Sequence, residues 1–226
     1  MDEKEFIDSL SFAFSLHADR QQAIEMKAYL RNQFEFLGIQ TPIRRSIYKD
    51  LPKLPKDPQY ILKIANELWD KPEREYRYVA CDLLIKNAKV FNLNDLPAFK
   101  KLLQKDSWWE TVDSLSSAIS DIVLNEKLNN HESQHTMDEW LLDSDFWVRR
   151  SAMVHQLGWK KHTDTDILMQ YALTLAPESE FFIRKAIGWA FRDYAKCNPT
   201  FVQNFMHLNK SVFSNLTVKE ATKNLG

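Results

Sequence analysis

The sequence predicts an all-α fold, a superhelical solenoid of stacked helical hairpins, on three observations. Apolar residues recur at spacings of three and four along nearly the whole chain, and no alternating strand pattern competes with them. Glycine is scarce, 4 residues in 226, while Leu, Lys and Glu, which tolerate helix well, are plentiful. Four alike segments begin at Glu73, Trp108, Phe146 and Phe181, at spacings of 35, 38 and 35 residues. Each opens with charge or aromatics and runs into an apolar helix.

In chain order, helices are predicted over 3–17, 20–36, 42–51, 57–69, 73–89, 95–104, 107–124, 132–143, 146–158, 164–175, 180–196, 199–207 and 215–223. One boundary carries its own chemistry. In Phe36-Leu37-Gly38-Ile39-Gln40-Thr41-Pro42, Gly38 is expected at the left-handed position past a helix end. Thr41 is expected to cap the next helix and Pro42 to be its first residue. That corner throws Arg44 and Arg45 onto the first turns of the following helix. A two-helix repeat of about 35 residues is the mark of a HEAT-like α-α solenoid, whose inner helices line a concave groove. The aromatic and basic segment starts fall on the same helix of each hairpin, so the groove is expected to be basic.

The chain is expected to be one domain over 1–226, long enough to bury a substantial core. Its net charge of −1 argues against an evenly basic surface, so the distribution of charge matters more than its sum. Two distant cysteines, Cys81 and Cys197, read as reduced thiols. The acidic, amphipathic start is not that of a signal peptide, and no apolar run reaches the roughly 18 residues of a membrane span. A cytoplasmic, monomeric protein is expected.

Three features carry candidate chemistry. His131-Glu132-Ser133-Gln134-His135 matches the HExxH zinc-protease pattern, but its polar flanks and missing third ligand read as the opening of a helix, so no metal is expected. Trp109 and Asp113, four residues apart, share a helix face and set an indole beside an anion, a surface that favours a positive charge. Trp147 with Arg150, and Lys185 with Trp189, repeat the aromatic-plus-charge face in neighbouring hairpins. Arg44, Arg45, Arg149, Arg150, Arg184 and Lys185 interleave with these aromatics and read as a surface that tracks phosphates. There is no Gly-rich phosphate loop, GxSxG elbow or convincing Cys/His pair, and no cofactor is expected.

With these residues in view, the chain resembles the AlkD family of DNA alkylation-repair glycosylases, built from HEAT-like repeats. The matching strings are the Phe36–Pro42 corner with Arg44-Arg45, Glu67-Leu68-Trp69-Asp70 with Pro72-Glu73-Arg74-Glu75, and Ser107-Trp108-Trp109 with Val112-Asp113-Ser114. Trp147 with Arg150 follows, then Glu180-Phe181-Phe182-Ile183 with Lys185-Ala186-Ile187-Gly188-Trp189, continuing through Arg192 to Lys196. The likeness runs from about residue 20 to 200. It implies Trp109, Asp113 and Trp189 as a catalytic trio, Arg150 on the DNA backbone at the lesion, and Tyr29 as an aromatic near the DNA. It also implies an enzyme that grips backbone and sugar and leaves the base exposed. The expected reaction is hydrolysis of the N-glycosidic bond of cationic N7- or N3-alkylated purines in double-stranded DNA, without a Schiff base. The alternative is a non-catalytic helical-repeat module that binds DNA or a protein partner through the same groove.

Overall fold

The computed structural model describes residues 2–129 and 133–225, and over these the chain is all-helical. Thirteen α-helices follow one another. They are α1 Glu3–His17, α2 Arg20–Tyr29, α3 Thr41–Asp50, α4 Pro58–Trp69, α5 Arg74–Lys86, α6 Leu96–Leu103, α7 Trp109–Leu128, α8 Gln134–Leu141, α9 Phe146–Val154, α10 Thr165–Leu175, α11 Phe181–Tyr194, α12 Pro199–Leu208 and α13 Asn215–Ala221. Side-chain caps start many of them. Asp2, Asp19, Asp57, Asp145 and Asp164 each accept a hydrogen bond from a first-turn backbone N–H that has no partner inside the helix. No strand forms among the described residues, and none of their helices is long and apolar enough to cross a membrane. The sole bridge among them joins Glu35 to Glu73.

The chain divides into two compact units, Met1–Phe91 and Asn92–Gly226. In the first, α4 and α5 form a hairpin, and α3 packs against α1 and α5. Phe6, Leu10, Phe14, Ile61, Ile64, Leu68 and Val79 are sealed within it.

Three expectations about this unit are corrected. The second helix ends at Tyr29 rather than running to residue 36, because Arg31 and Asn32 turn left-handed at φ 58° and 59° and close the turn onto Ala28 and Lys27. Gly38 does have positive φ, +86°, but within an extended loop rather than just past a helix. A Cβ there would lie 1.9 Å from the Asp19 carbonyl oxygen, so glycine is required for close approach as well as conformation. The loop is held by Glu75, whose buried carboxylate accepts from the backbone N–H groups of Leu37, Gly38 and Ile39. Burial pushes this carboxyl up and the backbone donors pull it back, so loop and carboxylate satisfy each other. Gln40, not Thr41, occupies the cap of α3, and Thr41 and Pro42 are its first residues.

In the second unit the helices form a layered stack. Hairpin partners α6–α7, α8–α9, α10–α11 and α12–α13 pack together, and α7, α9, α11 and α13 also pack in succession. Such nearest-neighbour packing is what a hairpin repeat produces. Helix α9 stops at Val154, short of the expected 158, in a turn containing Gly158 at φ +79° and Lys160 at φ +56°. His131 and Glu132 lie outside the described residues, while His135 is exposed and pairs with Glu139 at 3.3 Å. Among the described residues no group of three or more His, Cys, Asp or Glu is placed to hold a metal ion.

Candidate active site

Four successive helices of the second unit, α7, α9, α11 and α13, supply one site. Helix α7 buries Val112, Leu115, Ala118 and Ile119 on one face, which leaves Trp109 and Asp113 on another, half-buried. Helix α9 begins where Asp145 accepts from the Trp147 N–H at 2.8 Å, and it buries Val148, Ser151 and Ala152. Arg150 lies on it, 4% exposed. A hydrogen bond between the Ser116 and Ser151 hydroxyls, at 2.9 Å, fixes α9 against α7.

That register brings Arg150 onto Asp113 in a two-pronged pair. Its Nε donates to Oδ1 at 2.8 Å and its second terminal nitrogen to Oδ2 at 3.0 Å. The remaining terminal nitrogen donates to the Phe182 carbonyl at 2.5 Å, tying α11 to the pair. The guanidinium also lies 5.8 Å from the Trp189 ring centroid and 6.0 Å from that of Phe182. Burial pushes the Asp113 carboxyl above its ordinary range, and Arg150 opposes that rise.

These groups open into a cavity of about 390 Å³. Trp109, Trp189, Phe181 and Phe182 line it with aromatic surface around Asp113 and Arg150. Lys185, Arg192, Glu220 and Lys223 supply its remaining charges. Lys185 and Arg192 both pair with Glu220. Burial acts to raise the Glu220 pKa, but these two cations outweigh it and hold the carboxyl below its usual range. The cavity therefore carries four cationic side chains against two carboxylates, despite the chain's near-neutral total.

The structure gathers Trp109, Asp113, Arg150, Lys185 and Trp189 around this one cavity and places the other candidates elsewhere. Arg149 is held by both Glu178 oxygens at 2.8 Å and by the Asp143 and Ser144 carbonyls. Arg184 donates to the Glu178 carbonyl at 2.9 Å. Arg44, Arg45 and Tyr29 belong to the first unit. Arg44 is buried on Asp82 at 3.0 Å, Arg45 is exposed and reaches the same carboxylate at 3.3 Å, and Tyr29 is exposed at the end of α2.

Trp147 does not form an aromatic-plus-charge surface with Arg150. It is 7% exposed and packs in a ring cluster with Phe146, Phe182 and Trp108 at centroid distances of 4.5, 4.8 and 6.1 Å. Its role is to seat Phe182 beside the Arg150 pair. Sequence reasoning missed Glu220 and Lys223, which lie in the C-terminal stretch beyond the quoted strings. One local signal pointed there: Gly188 sits inside a helix, where glycine costs about 1 kcal/mol relative to alanine unless something must approach closely.

The profile of a family described as DNA alkylation repair enzyme matches residues 11–225. Among solved structures, the chain is similar to a predicted DNA alkylation repair enzyme from Enterococcus faecalis, with 31% identity, a TM-score of 0.82, and coverage of 93% of this chain and 97% of that one. It shares its fold with smu.31 from Streptococcus mutans UA159, at 20% identity and TM-score 0.58 over 90% of this chain and 96% of that one. The same holds for AlkD2 from Streptococcus mutans, at 20% identity and TM-score 0.58 over 80% and 96%. No curated protein matches the sequence significantly.

Proposed function

Because the chain belongs to the DNA alkylation repair enzyme family, we propose that it is a monofunctional DNA glycosylase acting on cationic N7- or N3-alkylated purines in duplex DNA. The observation that carries this reading is Asp113 set among Trp109, Trp189 and Arg150 in a cavity rimmed by further cations. Cleaving an N-glycosidic bond builds positive charge on the sugar. An alkylated purine is already cationic and leaves as a neutral base, so it needs no general acid. That removes one of the two carboxylates a glycosidase ordinarily uses. The remaining requirement is an anion held where the sugar turns cationic, with water positioned for attack.

Asp113 meets that requirement because Arg150 fixes its orientation through two hydrogen bonds and favours its ionised form against the cost of burial. The indole faces of Trp109 and Trp189 add cation–π and C–H attraction to the sugar. Lys185, Arg192 and Lys223 supply positive charge for the neighbouring phosphates. This set of side chains suits a sugar and its phosphates, so in this reading the protein grips the backbone while the damaged base stays outside. Water adds to the sugar C1′ as the C1′–N bond breaks, releasing the neutral base and a proton, so the product is an abasic site formed with no covalent enzyme intermediate.

The bidentate pair also favours a second reading, since an aspartate locked to a buried arginine is what a purely structural salt bridge looks like. A non-catalytic module of this kind binds duplex DNA in a salt-dependent way and releases nothing. The test is chromatographic detection of 7-methylguanine and 3-methyladenine released from methylated duplex. Release by the wild-type protein is expected, with an Asp113→Asn protein reduced by two to three orders of magnitude. Equal release by the two proteins overturns the assignment.

A further inference from the structure

Helix α13 crosses α11 at Gly188 with unusual closeness. A Cβ on Gly188 would lie 2.5 Å from the Glu220 Cβ, 2.8 Å from its Cγ and 2.9 Å from the Thr217 carbonyl oxygen. The Thr217 hydroxyl donates to the Arg184 carbonyl at 3.1 Å, a second tie between the two helices. The crossing presses Glu220, 8% exposed, onto the face of α11 that lines the cavity.

There its two oxygens divide between two cations: Oε2 takes the Lys185 ammonium and Oε1 the Arg192 guanidinium. Lys185 and Arg192 leave α11 seven residues apart, about 10 Å along its axis, with Trp189 between them. Unrestrained, two such long side chains would wander over many rotamers. A single carboxylate instead gathers both heads to one place beside Trp189.

We propose that Glu220 is a positioning residue for the reaction. It clamps Lys185 and Arg192 into a two-cation seat for one backbone phosphate next to the damaged nucleotide, which sets the sugar against Asp113. This rests on the glycosylase reading above. An anion beside a polyanion weakens simple attraction to DNA, so positioning and binding respond to its loss with opposite signs.

Glu220→Gln keeps the shape and removes the charge. The expected result is a single-turnover excision constant, at saturating enzyme on a duplex holding one 7-methylguanine, that falls ten- to a hundredfold. The dissociation constant for undamaged duplex of equal length stays the same or tightens. Glu220→Asp, charged but one methylene shorter, recovers part of the rate. Gly188→Ala, which displaces α13, reproduces the loss without altering any charge. Thermal midpoints taken on every variant separate misfolding from misalignment, and the Asp and Ala variants keep the test open where the Gln variant fails to fold.

An unchanged excision constant in folded Glu220→Gln overturns the proposal. So does faster excision with tighter binding, which makes the carboxylate a mere counter-ion to the cations. Absence of base release by the wild-type protein overturns the glycosylase reading itself and this one with it, and the wild-type control distinguishes the two failures.

Discussion

The two units each contain a buried arginine paired with an aspartate that sits four residues after an aromatic on its helix. In the first unit Asp82 follows Tyr78 and meets Arg44, and in the second Asp113 follows Trp109 and meets Arg150. Arg44 is 5% exposed and Arg150 4%, and each guanidinium lies near an aromatic ring, Tyr78 at 4.9 Å and Trp189 at 5.8 Å. Exposure does not separate the carboxylates either, since the side chains of Asp82 and Asp113 are 16% and 20% exposed.

Their surroundings do separate them. Asp82 gives one oxygen to each of two arginines, Arg44 and Arg45. Beside it burial, with Asp82 adding to the effect, pushes the Tyr48 phenol up to about 12. Asp113 has one arginine on both oxygens and opens between two indoles into a cavity. Residues of the same kinds thus share one carboxylate between two arginines in one place and, by the function proposed here, make a stabiliser of transient charge in the other. What the carboxylate can still face decides between them.

Breaking each pair gives the largest contrast. Asp82→Ala strands a buried arginine and is expected to lower stability by about 3 kcal/mol in denaturant unfolding, with excision by the folded fraction intact. Asp113→Asn is expected to do the reverse in emphasis, costing excision more than folding. Next in size, Trp109→Ala and Trp189→Ala are each expected to slow excision about tenfold, as the loss of 1–2 kcal/mol of cation–π attraction implies. Tyr78→Ala should leave excision unchanged in the same assay.

The pH profile sharpens the contrast further. The reaction needs ionised Asp113, whose pKa is raised by burial against the pull of Arg150, so activity should fall with decreasing pH above the ordinary carboxylate range. Arg150→Gln moves that limb to still higher pH. Acid unfolding must be told apart from it, and His155 supplies the means. This ring is 1% exposed, stands edge-on to Trp159 at 5.2 Å, and has Lys127, Asp138 and Asp164 as its charged surroundings. Burial lowers its pKa to about 4, so the folded state resists its protonation. Stability present above pH 6.5 is then lost as the pH falls toward about 4, on the order of 3 kcal/mol in total. His155→Phe should flatten that loss in unfolding curves and leave the activity limb in place. The smallest effect is expected from Ser151→Ala, which removes the Ser116 contact, costs about 1 kcal/mol, and slows excision less than threefold through a looser α7–α9 register.

Much of this was legible in the sequence for a physical reason. Apolar spacing of three and four is a local property, and it marked the thirteen helices of the described residues. The early end of α2 was not legible, because the loop after it is held by Glu75, some 37 residues away. The pairs Trp109/Asp113, Trp147/Arg150 and Lys185/Trp189 were read as like faces of neighbouring hairpins, and the family resemblance added the implication that Trp109, Asp113 and Trp189 act with Arg150. Arg149 looked equivalent to Arg150 by sequence, yet it meets Glu178, because adjacent positions on a helix point about 100° apart. Trp147 does share a face with Arg150, three residues on, but the rings of Phe146, Phe182 and Trp108 bury it. Glu220 was missed because only the mid-helix Gly188 hinted at it, and that hint does not say which residue, here one 32 positions later, makes the close approach.

The most direct test is to measure single-turnover excision of 7-methylguanine from duplex DNA by Asp113→Asn and Asp82→Asn proteins side by side, each checked for folding. A loss of about a hundred- to a thousandfold is expected for the first and wild-type rates for the second. Equal rates in the two variants, or a greater loss with Asp82→Asn, would contradict the role assigned to Asp113.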